Sequence, residues 1–360
     1  MKFTDKAQYL RYLVSKNGMR PVYLILGLTY DCNSFCRTCF NWEQLRKNKE
    51  HELSTEEIRK TLSSMGDLLF IVMSGGEPFL RRDLPEICEF LSTNNNVKQI
   101  TIPTGAITSA LIARQVETTL QRCPKTQIVV NLSIDHIGEK HDWIRGVPNN
   151  YEKAKKTYSL LIPLKKKYPN FTVNVHTCLC TYNADDLDLM FEGVKRDFPE
   201  ISFHSFEMLR GDQPDKNIQP ITTERYRELL PKLEKYWNGF GNYDGFLKFI
   251  KVYSRQMELA VLEQETQVRP CHAGRVSGVL DARGEVRMCE LRDPVGNVRD
   301  TDYNWDQLWF SDAADEQRRS IRAKECHCTH SCFMSSSLVF DWRTWGAYLQ
   351  STVVNFLGVA

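Results

Sequence analysis

The sequence predicts an α/β fold, a partial (β/α)6 parallel barrel followed by a small cysteine-rich C-terminal domain. Two observations carry that reading. Apolar, β-branched runs alternate with helix-spaced segments over the first two thirds of the chain, the pattern of right-handed βαβ units and a parallel sheet. Beyond them, Cys271, Cys289, Cys326, Cys328 and Cys332 crowd a short segment in which glycine turns replace long helices.

The apolar runs cover residues 22–28, 68–73, 99–102, 127–134, 171–175 and 201–206. Helical spacing fills 54–65, 84–91, 108–122, 151–168 and 184–197. Six strand–helix units are too few to close an eight-stranded barrel and suit an open one. In such barrels the chemistry gathers at the C-terminal ends of the strands. Asn131–Leu132–Ser133–Ile134–Asp135 alternates polar with apolar residues, as do Asn174–Val175–His176–Thr177–Cys178 and the pair Ser202 and His204. The apolar face must meet the helices, so the polar face points inward. Satisfied polar core groups would explain one such strand; three favour a wet cavity.

Arg210–Asp215 is a polar break, after which residues 222–263 read as mostly helical, with Thr222 or Thr223 as N-cap and Pro231 as an interruption. The expected organisation is an N-terminal helix (1–20), a barrel (21–215), a helical linker (216–265), the cysteine-rich domain (266–335) and an apolar C-terminal helix (336–360). In the last, Trp342, Trp345, Leu349, Val353 and Phe356 recur at steps of three and four and form one stripe. Leu10, Leu13 and Val14 repeat that pattern near the N-terminus. Both helices are expected to pack on the protein; resting on a membrane surface is the alternative.

The 360 residues carry 47 basic and 45 acidic side chains, a net charge of +2, which excludes the basic footprint of a general nucleic-acid binder. The absence of a signal-peptide pattern places the chain in the cytoplasm. There, twelve cysteines are not a disulfide framework, and two groups of them read as two metal sites.

Asp31–Cys32–Asn33–Ser34–Phe35–Cys36–Arg37–Thr38–Cys39–Phe40 follows the first strand directly. Three thiolates spaced four and three apart, with no fourth nearby, suit a [4Fe–4S] cluster with one open iron better than a closed zinc site. Here the chain resembles the radical S-adenosylmethionine (radical SAM) superfamily, whose signature is Cys-x3-Cys-x2-Cys after strand one. The aromatic residue usual before the last cysteine is Thr38 here, with Phe40 just after.

Ser74–Gly75–Gly76–Glu77–Pro78 stands where that family carries its Gly-Gly-Glu-Pro motif. The resemblance implies that Glu77 and the neighbouring backbone hold the methionyl amine of SAM. It also implies that Ser133 contacts SAM, that Asp135 faces substrate, and that Arg145, in His141–Gly146, meets the SAM carboxylate. Thr104–Gly105–Ala106 replaces the usual Thr-Asn-Gly and leaves the contact from Thr104 open.

Cys271-x12-Gly284-x4-Cys289 resembles the opening of the SPASM/twitch auxiliary-cluster domain. Cys326, Cys328 and Cys332 lack the longer closing motif, so the five thiolates imply one auxiliary [4Fe–4S] cluster, with zinc as the alternative. Which of the last three cysteines complete it stays open. His272, His327 and His330 are expected beside the ligands rather than among them. Cys88 and Cys123 read as core residues, Cys178 and Cys180 as inward-facing, and Lys165–Lys166–Lys167 as a solvated helix end.

The resemblance implies reductive cleavage of SAM to a 5′-deoxyadenosyl radical, with a flavodoxin- or ferredoxin-type electron donor. Asp135, His176, His204 and Glu207 are the candidates for orienting substrate or moving protons. The substrate is a small molecule or a lipid-linked sugar; a peptide-modifying maturase and a non-enzymatic electron carrier are the alternatives. The short stretch before strand one tilts the reading away from peptides.

Overall fold

The structure, a computed structural model, describes residues 19–45, 51–240 and 245–357, and of residues 247 and 352–357 the backbone alone. Leu10, Leu13 and Val14 lie outside the described residues. One sheet organises the chain. Strands β1 (Tyr23–Thr29), β2 (Phe70–Gly75), β3 (Gln99–Thr104), β4 (Gln127–Ser133), β5 (Phe171–Leu179) and β6 (His204–Met208) pair in sequence order and in parallel. This is the expected partly open parallel barrel.

Each strand is followed by its helices: α1 (Thr55–Ser63), α2 (Leu84–Asn94), α3 (Ser109–Arg122), α4 (Gly138–Arg145), α5 (Asn150–Lys167) and α6 (Leu187–Asp197). The outward faces of the strands are apolar because they meet those helices. Leu24, Leu26, Ile100, Ile102, Val130, Leu132, Val173 and Val175 are fully buried there. Local chemistry sets the helix starts: at α1, Ser54 Oγ accepts the Glu57 N–H at 3.3 Å while the Glu57 carboxylate accepts the Ser54 N–H at 2.8 Å, a capping box.

The segment read as a linker forms α7 (Thr223–Asn238) and α8 (Gly245–Gln264). Tyr226, Leu233 and Trp237 of α7 pack on Phe203 and Phe206 and cover the outer face of β6. The cysteine-rich segment also joins the barrel. Strand β7 (Ser277–Leu280) pairs in parallel with β1, and β8 (Glu285–Arg287) and β9 (Gly296–Asn297) add antiparallel strands beyond it. The nine-stranded sheet therefore runs unbroken from β6 to β9.

After α9 (Trp305–Trp309) and α10 (Asp312–Arg322), helix α11 (Ser331–Val339) packs against α8. Arg255 of α8 and Cys332 and Ser335 of α11 face the barrel cavity together with Tyr23 of β1 and Glu207 of β6. The C-terminal helix α12 (Trp342–Leu357) divides its expected stripe. Trp345 stacks on Phe246 with ring centres 4.1 Å apart, whereas Trp342 and Leu349 are 71 % and 62 % exposed. The side chains of Val353 and Phe356 lie outside the described residues. Among the described residues no helix is long and apolar enough to cross a membrane.

Candidate active site

The loop after β1 carries Cys32, Cys36 and Cys39 at the C-terminal end of the sheet, and all three face the cavity. Backbone pairing fixes the loop: the Phe35 N–H donates to Arg145 O at 3.1 Å and the Arg37 N–H to Ile144 O at 2.8 Å. Arg37 adds an ion pair to Asp215 at 3.1 Å and lies over the Trp143 ring. Burial pushes the thiols up, Cys32 to about 11 and Cys39 to about 12, each raised further by Cys36. Thiols held this close and this protonated release protons when a soft cation replaces them, and three of them leave one coordination position of a cubane open.

Gly75 and Gly76 are required by crowding. A Cβ at Gly76 would lie 2.0 Å from Asp31 O, and one at Gly75 would lie 2.2 Å from Thr29 O. The close approach expected toward a ligand is thus an approach to the backbone that leads into the cysteine loop. The Gly76 N–H donates to Thr29 O at 2.6 Å and the Glu77 N–H to Asp31 O at 2.8 Å. Glu77 turns inward instead of lining the cavity. Its carboxylate accepts from Thr104 Oγ1 at 2.9 Å, from the Gly105 N–H at 2.8 Å and from the Phe79 N–H at 3.2 Å. Glu77 and Thr104 therefore brace the loops after β2 and β3, and the buried Pro78 starts the 3-10 turn Pro78–Leu80. Ser74, Gly75, Gly76 and Ser133 do line the cavity.

Arg145 ends α4 and lines the same cavity. Its Nη1 lies 3.2 Å from Asp135 Oδ2, and its buried Nε has no hydrogen-bond partner. Asp135, expected to face substrate, is enclosed: it accepts the Cys178 N–H at 2.9 Å, and its own N–H donates to His141 Nδ1 at 3.1 Å. Burial holds His141 neutral, with its pKa lowered to about 3.

Thr172, Asn174, His176 and Cys178 of β5, with Asn131 and Ser133 of β4, face inward as their alternation requires. Strand β6 departs from the expectation. Ser202 lines the cavity as expected, but the alternation breaks after it, so that Ser205 and Glu207 point in and His204 points out. His204 is fully buried between Thr177 Oγ1, at 2.9 Å, and the Tyr236 hydroxyl, at 3.1 Å, and burial keeps it neutral. It serves packing, not chemistry. Cys180 likewise falls beyond the end of β5, buried against Leu209 and Ile218. Cys88 and Cys123 are core residues, and Lys166 and Lys167 pair with Glu200 and Glu117 on the surface.

The inward face of β6 joins a cluster that the sequence did not reveal as one. Glu207 pairs with Arg210 at 3.0 Å and His176 at 3.4 Å, and accepts from Ser331 Oγ. Glu290, just after β8, pairs with His330 at 2.6 Å and Arg210 at 3.5 Å, and accepts from Ser74 Oγ at 3.4 Å. Burial alone would raise the Glu207 pKa; Arg210 and His176 outweigh it and hold the carboxyl well below its usual range.

The β7–β8 hairpin explains the spacing of the second cysteine group. Gly284, at φ +92°, makes its turn, so Cys271 before β7 and Cys289 after β8 come to the same end. Gln267 ties in the next segment, donating to Cys326 O at 2.8 Å and accepting the Cys271 N–H at 3.3 Å. The thiols of Cys271, Cys289, Cys326 and Cys328 interact electrostatically with one another, and burial followed by that mutual repulsion raises Cys271 to about 11. Four thiols satisfy one cubane. Cys332 is the fifth, and it faces elsewhere: its neighbours are Tyr23, Glu207, Arg210 and Glu290. His327 is exposed and His330 is buried against Glu290.

Three converging thiols with one open side, and the unpaired Nε of Arg145 beside them, fit a [4Fe–4S] cluster with SAM. The chain matches the Radical SAM superfamily over residues 26–194. It is 32 % identical over 296 residues to a GTP 3′,8-cyclase of Actinobacillus pleuropneumoniae, covering 80 % of this chain and 82 % of that protein. To an AdoMet-dependent heme synthase of Oleidesulfovibrio alaskensis it is 24 % identical over 321 residues, or 84 % and 78 % of the two chains. In fold it is similar to anSMEcpe with bound AdoMet and the Cp18Cys peptide (TM-score 0.60, 16 % identity, 94 % of this chain and 99 % of that one). It is equally similar to SuiB of Streptococcus suis bound to S-adenosylmethionine (TM-score 0.60, 15 % identity, 88 % and 72 %). With its cysteine loop, its partly open parallel sheet and relatives that are synthases and cyclases, this chain is an enzyme of the radical SAM superfamily.

Proposed function

We propose that this enzyme cleaves SAM reductively and abstracts a hydrogen atom from a small polar substrate held inside the barrel. The cluster and SAM supply the 5′-deoxyadenosyl radical; the chain's residues position both reactants. Cys32, Cys36 and Cys39 would hold the iron, Arg145 would meet the SAM carboxylate, and Asp135 fixes the guanidinium. Ser74 and the Gly75–Gly76 backbone border the SAM site at the end of β2.

The observation that carries the reading is the cavity itself. One space of about 780 Å³ joins the three thiols to the inward faces of β3, β4, β5 and β6. Pockets of about 300–1,000 Å³ suit small ligands, and this one must hold SAM as well. His176, Glu207 and Arg210 then meet a substrate with hydrogen-bonding groups, orient its C–H bond and shed or supply protons. Cys271, Cys289, Cys326 and Cys328 would hold an auxiliary cluster, and a flavodoxin- or ferredoxin-type protein would supply the electron.

Anaerobically reconstituted protein given SAM and dithionite tests this. Release of 5′-deoxyadenosine and methionine is expected, and its absence overturns the reading. A lipid-linked substrate is the second reading, favoured by the exposed Trp342 and Leu349 on α12.

A further inference from the structure

We propose that Cys332 is not an iron ligand but a hydrogen-atom donor, a thiol set in the substrate cavity to return hydrogen to a carbon radical formed there. The proposal rests on the radical chemistry proposed above. Its first support is the separation of the five C-terminal thiols. Cys271, Cys289, Cys326 and Cys328 act on one another, whereas the charged neighbours of Cys332 are Glu207, Arg210 and Glu290. The first turn of α11 carries Cys332 away from the cysteine group and into the cavity.

The second support is where the thiol arrives. The ligand atoms of Cys332, Glu207 and His330 lie within 4.8 Å of one another. From His330 the contacts run through Glu290 to Ser74, at 2.6 Å and then 3.4 Å, which ties the surroundings of Cys332 to the end of β2. Tyr23, whose strand precedes the three-cysteine loop, lines the same cavity and is an electrostatic neighbour of the thiol. A cation bound by Cys332, Glu207 and His330 would compete with the Arg210 guanidinium, which already lies 3.0 Å from Glu207 and 3.5 Å from Glu290. The arrangement suits a neutral thiol better than a metal ligand. Burial, and after it Glu207, push that thiol up to about 12, so the sulfur keeps its hydrogen at neutral pH.

The step balances simply. A carbon radical takes the hydrogen atom of the Cys332 S–H bond; a C–H bond forms, the S–H bond breaks, and a thiyl radical remains. One electron from a low-potential one-electron donor and one proton from water restore the thiol. An S–H bond is weaker than an alkyl C–H bond, so the transfer runs downhill.

The substrate is not needed for the test, because the 5′-deoxyadenosyl radical is itself a carbon radical in the cavity. Holoprotein equilibrated in D2O without added thiols is given SAM and dithionite, and the 5′-deoxyadenosine is weighed for deuterium. The wild-type product is expected to carry deuterium from the S–D bond. Cys332→Ala and Cys332→Ser are expected to lose that label while still forming 5′-deoxyadenosine, because a serine O–H is too strong a bond to give up its hydrogen. Both variants are expected to keep the wild-type iron content. Deuterium retained in both variants, unlabelled wild-type product, or iron or zinc lost from Cys332→Ala would each overturn the proposal. Absence of any 5′-deoxyadenosine from wild type would instead overturn the radical reading, and this inference with it.

Discussion

Asp135 Oδ2 lies 3.2 Å from Arg145 Nη1, and both side chains are buried beneath the three-cysteine loop. The pair is the anchor of the site: Asp135 holds the guanidinium from one side while Arg145 lines the cavity. Removing one partner of a buried pair leaves a charge uncompensated, at a cost on the order of 3 kcal/mol. Asp135→Asn is expected to lower the melting temperature and to weaken SAM binding about tenfold or more, that is about 1.4 kcal/mol or more. Equilibrium dialysis with labelled SAM measures the second effect. Wild-type affinity in both Asp135→Asn and Arg145→Ala would show that the pair serves the fold alone.

The two cysteine groups are separable. Cys36→Ala is expected to stop 5′-deoxyadenosine formation while the chain stays folded. Reconstituted wild type is expected to hold about eight irons, four per cubane, and the Cys32/Cys36/Cys39 triple-alanine variant about four. Zinc without iron in that variant would reassign the second site.

Much of this site is legible in the sequence, for reasons visible in particular residues. The inward faces of β4 and β5 follow from strict alternation over Asn131–Ser133 and Asn174–Cys178, because a strand has only two faces. Strand β6 is where that logic slips. Ser202 faces the cavity, but Phe203 and His204 after it are both buried away from it, so the alternation breaks there and the face assigned to His204 is reversed. The Glu207–Arg210–Glu290–His330 cluster has no sequence signature, since its members come from three segments far apart along the chain. Cys332 shares its spacing with Cys328 and parts from it only because α11 begins between them. Glu77 illustrates the reverse: its motif is plain in the sequence, yet its carboxylate is spent on Thr104 and Gly105.

The C-terminal module is pinned to α1 by one carboxylate. Glu57 meets Arg299 at 2.7 and 3.2 Å, accepts from the Tyr303 hydroxyl at 2.9 Å and caps Ser54. Arg299 above all holds its pKa down at about 2. A depressed carboxylate stabilises the fold above its unfolded pKa and loses that contribution as pH falls through the folded one. Glu57→Gln is therefore expected to cost about 1 kcal/mol at pH 7, allowing for solvent screening of a part-exposed pair. The gap between variant and wild type should close as pH drops from about 4.5 toward about 2. A melting-temperature difference that stays constant with pH would exclude this linkage.

Gly76→Ala probes the contact between the β2 loop and the cysteine loop. The added methyl carbon would sit 2.0 Å from Asp31 O, a backbone atom with no side-chain freedom to yield. The cysteine loop is expected to shift and lose its cluster, leaving about four irons and no SAM cleavage. Circular dichroism should stay close to wild type, because the strands themselves are untouched. Full iron loading with normal 5′-deoxyadenosine output would refute the steric account.

Helix α12 carries one apolar stripe, and only part of it is explained by packing. Trp345 stacks on Phe246 at 4.1 Å, and Tyr348 meets Phe246 at 5.1 Å and Phe249 at 5.3 Å, so that face secures α12 to α8. Trp342 and Leu349, seven residues apart along the edge of that stripe, are 71 % and 62 % exposed. Tryptophan and leucine with a neighbouring cation, Arg343, suit the boundary between lipid headgroups and acyl chains. Deleting the whole helix would uncover Phe246 and confuse binding with unfolding. Trp342→Ser with Leu349→Ser leaves the packed face intact. Wild type is expected to float with vesicles of mixed zwitterionic and anionic lipid, and the double variant to stay behind with unchanged melting temperature. Wild type that fails to float removes the support for a lipid-linked substrate and leaves the small polar molecule as the reading. A double variant that floats equally well moves the contact to another surface.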